Sequence, residues 1–256
     1  MYDKVSKQLF RNQGEGSFVI GPDKWTNPYV TDGLVAMWDG EWNAGGGVHD
    51  ANATTWIDCV NGSIATPRTS DFSWSSNKVT TLSGCTFATN VGAGLTAATV
   101  QAVVKYAGRN HSLASTIGSF NNAVDADGKA GYGGITLGIA SYYNGIVCGY
   151  AACPWSRSDF RMSTYGYSDS DVTLISLTWA GGKKPVVFYL NDITLGTVNE
   201  STLGVNSNNF SIGSTHATGG ESMWGDIYAI RVYDHTLTAS EIARNYRVDK
   251  ERFNLP

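Results

Sequence analysis

The stretch "GDIYAIRVYDHTLTASEI", Gly225 to Ile242, carries the most architectural information in the chain. From Asp226 to Asp234, Tyr228, Ile230 and Val232 form one apolar face. Ile227, Ala229, Arg231 and Tyr233 form a mixed opposite face, and this period of two marks a strand with one buried side. A helix start follows within a few residues. Thr238 is placed to cap the next turn and Glu241, three residues on, to reach back, which is a capping box. Leu237 and Ile242 sit where a hydrophobic staple needs them. A long closing strand followed by one short helix describes the end of a β-rich fold.

Working outward, the rest of the chain supplies short strands and turns. "GLVAMWDG" (Gly33–Gly40) precedes the polar loop "EWNAGGGVHDANATT" and then "TWIDCVNG". Further strands are read in "KVTTLSGCTF", "TAATVQAVVKYAG", "SLASTIGSF", "GGITLGIA", "GIVCGYA" and "DFRMSTYGY". "DVTLISLTW", "VVFYL", "ITLGTV" and "NNFSIGST" complete the series. About twelve to fourteen strands with turn signals between them predict an antiparallel sandwich or jelly roll. The 30 glycines and the low charge, 16% of residues, suit a sheet protein with many tight turns. Residues 1–28 stand apart. Val5–Phe10, a Gly14-Glu15-Gly16 turn and Ser17–Ile20 read as a hairpin ending at Gly21-Pro22 and Asn27-Pro28. A lone hairpin is marginal in water, so it must dock on something. The expected division is a coupling hairpin over 1–28 and one domain over 29–256.

Composition also excludes partners. A net charge of −4 gives no footprint for nucleic acid. No apolar run approaches the ~20 residues of a membrane span. "MYDKVSKQLFRNQ" lacks the apolar core of a secretory signal, so the expectation is synthesis in the cytoplasm without a signal peptide. Cys59, Cys85, Cys148 and Cys153 are too few for a disulfide scaffold and read as idle thiols. The five Asn-x-Ser/Thr sequons are read as chance in a chain rich in these residues.

The series "LISLTW…PVVFYLND…LGTV…NNFSIGS…WGDIYAIRVYDHTLTASEIARNY" resembles the C-terminal half of laminin-G-like, concanavalin A-like jelly-roll domains. "GLVAMWDG" and "TWIDCVNG" resemble the opening strand and Trp-x-Asp motif of that family more loosely. The N-terminal "YDKVSKQLFRNQGEGSFVIGPD" resembles the hairpin that precedes such domains in tail and surface proteins of gut bacteriophages and prophages. The resemblance implies two stacked antiparallel sheets, an all-β jelly-roll sandwich with one short C-terminal helix and an N-terminal hairpin extension. It implies a module that binds glycans or proteins, or one that hydrolyses polysaccharide. The expected setting is a virion or the extracellular space. The expected partners are a cell-surface glycan or host receptor and other virion proteins reached through residues 1–28, with self-association as an option. The alternatives are a structural domain without ligand and, behind it, a hydrolase.

Hydrolysis on this fold needs two carboxylates across the scissile bond, and hydrolytic families set glutamates alternately on one strand. The six glutamates here are never closer than ten positions, so the expectation is no enzyme. Asp125, Asp127 and Gly128 imitate the start of a calcium loop, but Lys129 takes the next ligand position and no glutamate closes it. Calcium at a rim, as the resemblance implies, would draw on Asp39, Asp50, Asp125 and Asp127; no other cofactor is expected. Glycan contacts are expected from the aromatic-rich "SYYNGIVCGYAACPWSRSDFRMSTYGYSD". Trp155 and Tyr143 are the stacking candidates, Asn144 and Arg157 the hydrogen-bonding ones, and Trp42 in the glycine-rich loop is the second platform.

Overall fold

The computed structural model describes residues 19–20, 25–26, 28–82, 84–109, 115–119, 134–140, 146–151, 160–168, 170–182, 184–198, 203, 205–215 and 221–256. In chain order the strands are β1 (Val19–Ile20), β2 (Trp25–Thr26), β3 (Leu34–Asp39), β4 (Trp56–Ile57), β5 (Ile64–Pro67) and β6 (Phe72–Ser75). Next come β7 (Lys78–Thr81), β8 (Phe87–Ala88), β9 (Ala98–Arg109), β10 (Ser115–Gly118), β11 (Ile135–Ala140) and β12 (Ile146–Ala151). The last six are β13 (Phe160–Arg161), β14 (Thr173–Trp179), β15 (Val186–Leu190), β16 (Ile193–Val198), β17 (Ser211–Ile212) and β18 (Met223–Tyr233). The helix α1 (Ala239–Phe253) follows.

These strands build an antiparallel two-sheet sandwich. One sheet runs β16-β15-β14-β9-β18-β7-β6, and β3 adds to β18 as well. The other runs β13-β12-β11-β10-β17-β8-β5-β4. The core lies between them: Val100, Val104, Ile175, Leu177, Ile230 and Val232 from the first sheet meet Phe87, Ile117, Leu137, Ile139 and Ile212 from the second. All seven residues of β14 are buried, because its outer face is covered as well. The cover is α1, whose Tyr246 and Phe253 pack on Val103, Leu174, Tyr228 and Ala229.

The closing strand departs from strict alternation. Its register against β9 slips between Ile227 and Ala229, so Ile227 turns into the core and Tyr228 joins the outer cluster under α1. A bulge of this kind inserts one unpaired residue and flips the phase of what precedes it. A second irregularity falls at Trp224–Gly225, where Gly225 has φ of 141° and an added Cβ would lie 2.2 Å from the Lys105 carbonyl. Only glycine fits there.

Other expectations also shift. "KVTTLSGCTF" is two strands in different sheets, β7 and β8, divided by the turn at Gly84, φ 80°. "DFRMSTYGY" gives only β13 and then a 3-10 turn, Met162–Tyr165, ended by Gly166 in the left-handed region. β5 and β6 form where no strand is expected from the sequence. In the N-terminal segment Val19–Ile20 pairs with Trp25–Thr26. The expected strand Val5–Phe10 and the turn at Gly14–Gly16 lie outside the described residues.

The chain at 28–30 is fixed to the helix and the closing strand. Arg244 donates to the Pro28 carbonyl at 2.8 Å, the Val30 N–H to Asn245 at 2.8 Å, and the Tyr29 hydroxyl to Asp249 at 2.8 Å. Tyr233 donates to the Val30 carbonyl at 3.1 Å.

Candidate functional site

Of the expected site residues, Trp155, Tyr143, Asn144, Arg157, Asp125 and Asp127 lie outside the described residues. Trp42 is 2% exposed and offers no open ring face. The Arg252 guanidinium lies 4.4 Å from its ring, over the end of the 3-10 turn Gly40–Trp42. Asp39 is fully buried. Its carboxylate takes two hydrogen bonds from Arg252, at 2.8 and 3.1 Å, and one from the Glu41 N–H at 3.0 Å. Burial opposes the charge on Arg252, but Asp39, Tyr29 and Glu41 outweigh it and hold the guanidinium well above its ordinary pKa. The Asp39 carboxylate is thus engaged by Arg252 and the Glu41 N–H. Asp50 is exposed, with its carboxylate turned to the Asn52 N–H at 2.8 Å. No group of three His, Cys, Asp or Glu side chains placed to hold a metal ion occurs among the described residues.

A different place has the shape of a binding site. Where β6 ends one sheet and β4–β5 end the other, a groove of about 520 Å³ opens between residues 51–54, 67–70 and 72–74. Its apolar lining comes from Phe72 and Trp74, both half-buried, which alternate with exposed serines along β6. Trp74 sets its ring against Trp56 edge to face, centroids 5.3 Å apart, and against Phe72 at 5.9 Å. Phe72 packs on Phe87 at 5.0 Å. Such ring pairs fix the aromatic orientation beyond what area burial does. The Trp74 Nε1–H donates to the Ala53 carbonyl at 2.8 Å, tying the two sides of the groove together.

The walls are built in advance. Asn43, fully buried, donates to the Asp50 carbonyl and accepts from the Asp50 N–H, both at 2.8 Å. That pair holds the loop bearing Asn52 and Thr54. On the opposite wall the Arg68 N–H donates to the Thr86 carbonyl at 2.9 Å, and Phe72 N–H to the Ser70 carbonyl at 2.9 Å. Among the described residues the polar lining is Asn52, Thr54, Arg68, Thr69, Ser70 and Ser73, with no carboxylate and no histidine. This groove can stack and hydrogen-bond a polar ligand, with Arg68 as its one charged side chain among the described lining residues; that lining holds no acid–base pair. The alternation Phe-Ser-Trp-Ser at 72–75 is the sequence signal that marks it.

No family model and no curated protein sequence matches the chain. Solved structures do share its fold. A sialidase of Trypanosoma rangeli in complex with sialic acid superposes with a TM-score of 0.62 at 13% identity, covering 98% of this chain and 37% of the sialidase. The same sialidase in complex with 2,3-difluorosialic acid, a covalent intermediate, gives 0.60 at 15% identity over 84% of this chain and 33% of the enzyme. Domain 4 of AbnA, a GH43 extracellular arabinanase from Geobacillus stearothermophilus, in complex with arabinotriose, gives 0.57 at 13% identity over 83% of this chain and 98% of that domain. The chain thus spans about a third of the sialidase chains it resembles.

The likeness establishes the sandwich fold. It also corrects the expectation of no enzyme. That exclusion rests on a missing glutamate pattern along one strand, yet the same fold recurs within the chains of a sialidase and of an arabinanase. The lack of one strand motif therefore does not remove the chain from glycoside hydrolases.

Proposed function

We propose that this domain binds a glycan in the groove between β6 and the β4–β5 end of the sandwich. The observation that carries the reading is the pairing of Trp74 and Phe72 with a pre-built, carboxylate-free polar rim. Sugars present apolar C–H faces and a girdle of hydroxyls, so they need a flat aromatic surface and short polar side chains around it. Trp74 and Phe72 supply the first, Asn52 and Thr54 the second. The glycan-bound structures that share the fold support the same class of ligand. The setting implied by the N-terminal resemblance, a phage or prophage tail or surface protein shown in many copies, belongs to this proposal. An open groove gives weak affinity per site, and repetition on one particle multiplies it.

The test is binding of a multimerised chain to an array of linear gluco-, manno-, xylo-, galacto- and arabino-oligosaccharides. Binding that falls about tenfold or more (~1.4 kcal/mol) in Trp74→Ala supports the site. Binding kept in Trp74→Ala but lost in Trp155→Ala moves the site to the aromatic-rich 142–167 segment. No binding to any glycan favours a structural domain and ends the proposal.

A further inference from the structure

The lining of the Trp74 groove is one-sided in charge. Among its described residues Arg68 is the single charged side chain, and none of the others is acidic. Asp50 and Asp71 flank the lining segments in sequence without lining the groove, and the Asp50 carboxylate is turned to the Asn52 N–H at 2.8 Å. Arg68 is exposed, so its guanidinium is within reach of a ligand.

The root of this arginine is fixed. Pro67, the last residue of β5, pairs with Phe87 in the β5–β8 ladder, and the Arg68 N–H donates to the Thr86 carbonyl at 2.9 Å. Phe87, fully buried, packs on Phe72 at 5.0 Å, and Phe72 on Trp74 at 5.9 Å. One buried ring thus supports both the backbone that carries Arg68 and the aromatic platform. A guanidinium is a planar fork of N–H donors that matches a carboxylate through two parallel hydrogen bonds. On a neutral sugar it meets only single hydroxyls; on an acidic sugar it meets a group of opposite charge and matching shape. The chain as a whole carries −4, so its overall field does not draw an anionic ligand in. Any gain for an acidic sugar has to be made locally, at Arg68.

From this charge asymmetry we infer that the Trp74 groove prefers a sugar that carries a carboxylate, with Trp74 and Phe72 stacking the ring and Arg68 pairing with the acid group. This rests on glycan binding at Trp74 as proposed above. A sugar carboxylate has two sources, a uronic acid within a chain and a terminal sialic acid, and Arg68 reads the group they share. The pair is exposed, so the expected gain is about fivefold at low ionic strength and shrinks toward none at ~1 M salt, where the Debye length is ~3 Å.

Calorimetry on the full 256-residue chain compares tetragalacturonate with its carboxyl-reduced galactose tetramer, and sialyllactose with lactose. The expected result at ~20 mM salt is about fivefold tighter binding of the acidic member in at least one pair, and the pair that shows it tells the uronic acid from the terminal acid. Arg68→Gln should bring the two members to equal affinity, with an unchanged thermal midpoint showing the fold intact, since the main-chain bond to Thr86 stays. Trp74→Ala should weaken both members. Equal affinities within both pairs, or an unaltered preference in Arg68→Gln, overturns the acid preference and leaves glycan binding at Trp74 intact. Failure of every member of both pairs to bind also overturns it; failure of the neutral array as well overturns both readings.

Discussion

Arg231 and Asp249 meet beneath the C-terminal helix with side chains 1% and 0% exposed, and the guanidinium engages both carboxylate oxygens. Arg231 also donates to Gln101 at 3.1 Å and stacks over the Tyr29 ring, 4.4 Å from its centroid. Burial works against its charge, but Asp249 prevails and raises its pKa above the ordinary arginine range. Asn245 completes the group, donating to Gln101 at 2.7 Å and to the Tyr233 hydroxyl at 2.8 Å. A buried pair of this kind is weak evidence for net stability, yet breaking it leaves one charge stranded in the interior. Asp249→Ala should therefore lower unfolding free energy by about 3–5 kcal/mol. Replacing the pair together, Arg231→Met with Asp249→Leu, should cost much less. Urea unfolding of both variants checks this, and equal losses would show that packing, not the stranded charge, sets the effect. The sequence shows Arg231 on the mixed face of its strand, but Asp249 belongs to a helix whose docking no local pattern records.

At the scale of elements, the helix start is the feature most fully written in the sequence, because capping is local. Thr238 accepts from the Glu241 N–H at 3.3 Å and Glu241 accepts from the Thr238 N–H at 2.8 Å, as the box requires. Thr238→Ala should cost about 1 kcal/mol in equilibrium unfolding, and an unchanged midpoint would count against the cap. The groove elements are not legible in this way. β5 and β6 are four residues each, next to the end of one sheet and at the end of the other, too short to outweigh the surrounding turn residues. Nor does sequence reveal that Trp42, in a glycine-rich loop, folds under the distant Arg252. The groove wall likewise depends on a brace from outside its own loop. Asn43→Ala removes both bonds to Asp50, leaving that loop free to move. The glycan affinity of this variant should fall about three- to tenfold with the Trp56–Trp74 packing kept, as read by calorimetry beside the tryptophan near-UV signal. Full affinity would mean the loop holds its place without Asn43.

Across the whole molecule, the polar cluster that seats the helix also sets a limit at high pH. Burial pushes the Tyr233 hydroxyl up to about 12 and Tyr29 higher still. The buried thiols follow, Cys85 up to about 12 and Cys59 well above its ordinary value. In the unfolded chain tyrosines ionise near ~10 and thiols near ~8.5. Over that interval the unfolded state has lost protons that the folded state keeps, so unfolding releases them and stability falls as pH rises. The contribution is intact below about pH 8.5, begins to fall with the thiols, and falls faster above about pH 10 with the tyrosines. Tyr233 alone accounts for about 2–3 kcal/mol between pH 10 and 12, since one proton released on unfolding costs ~1.36 kcal/mol for each step of one in pH. Denaturant unfolding at half-unit steps from pH 8 to 11.5 should show this decline. In Tyr233→Phe the value at pH 8 should drop, because hydrogen bonds to Val30 and Asn245 are lost, while the slope above pH 10 becomes shallower by about one proton. A slope identical to that of the unaltered protein would remove Tyr233 from the alkaline transition and leave Tyr29, Tyr189, Tyr228, Tyr246 and the two thiols, all raised by burial, to account for it.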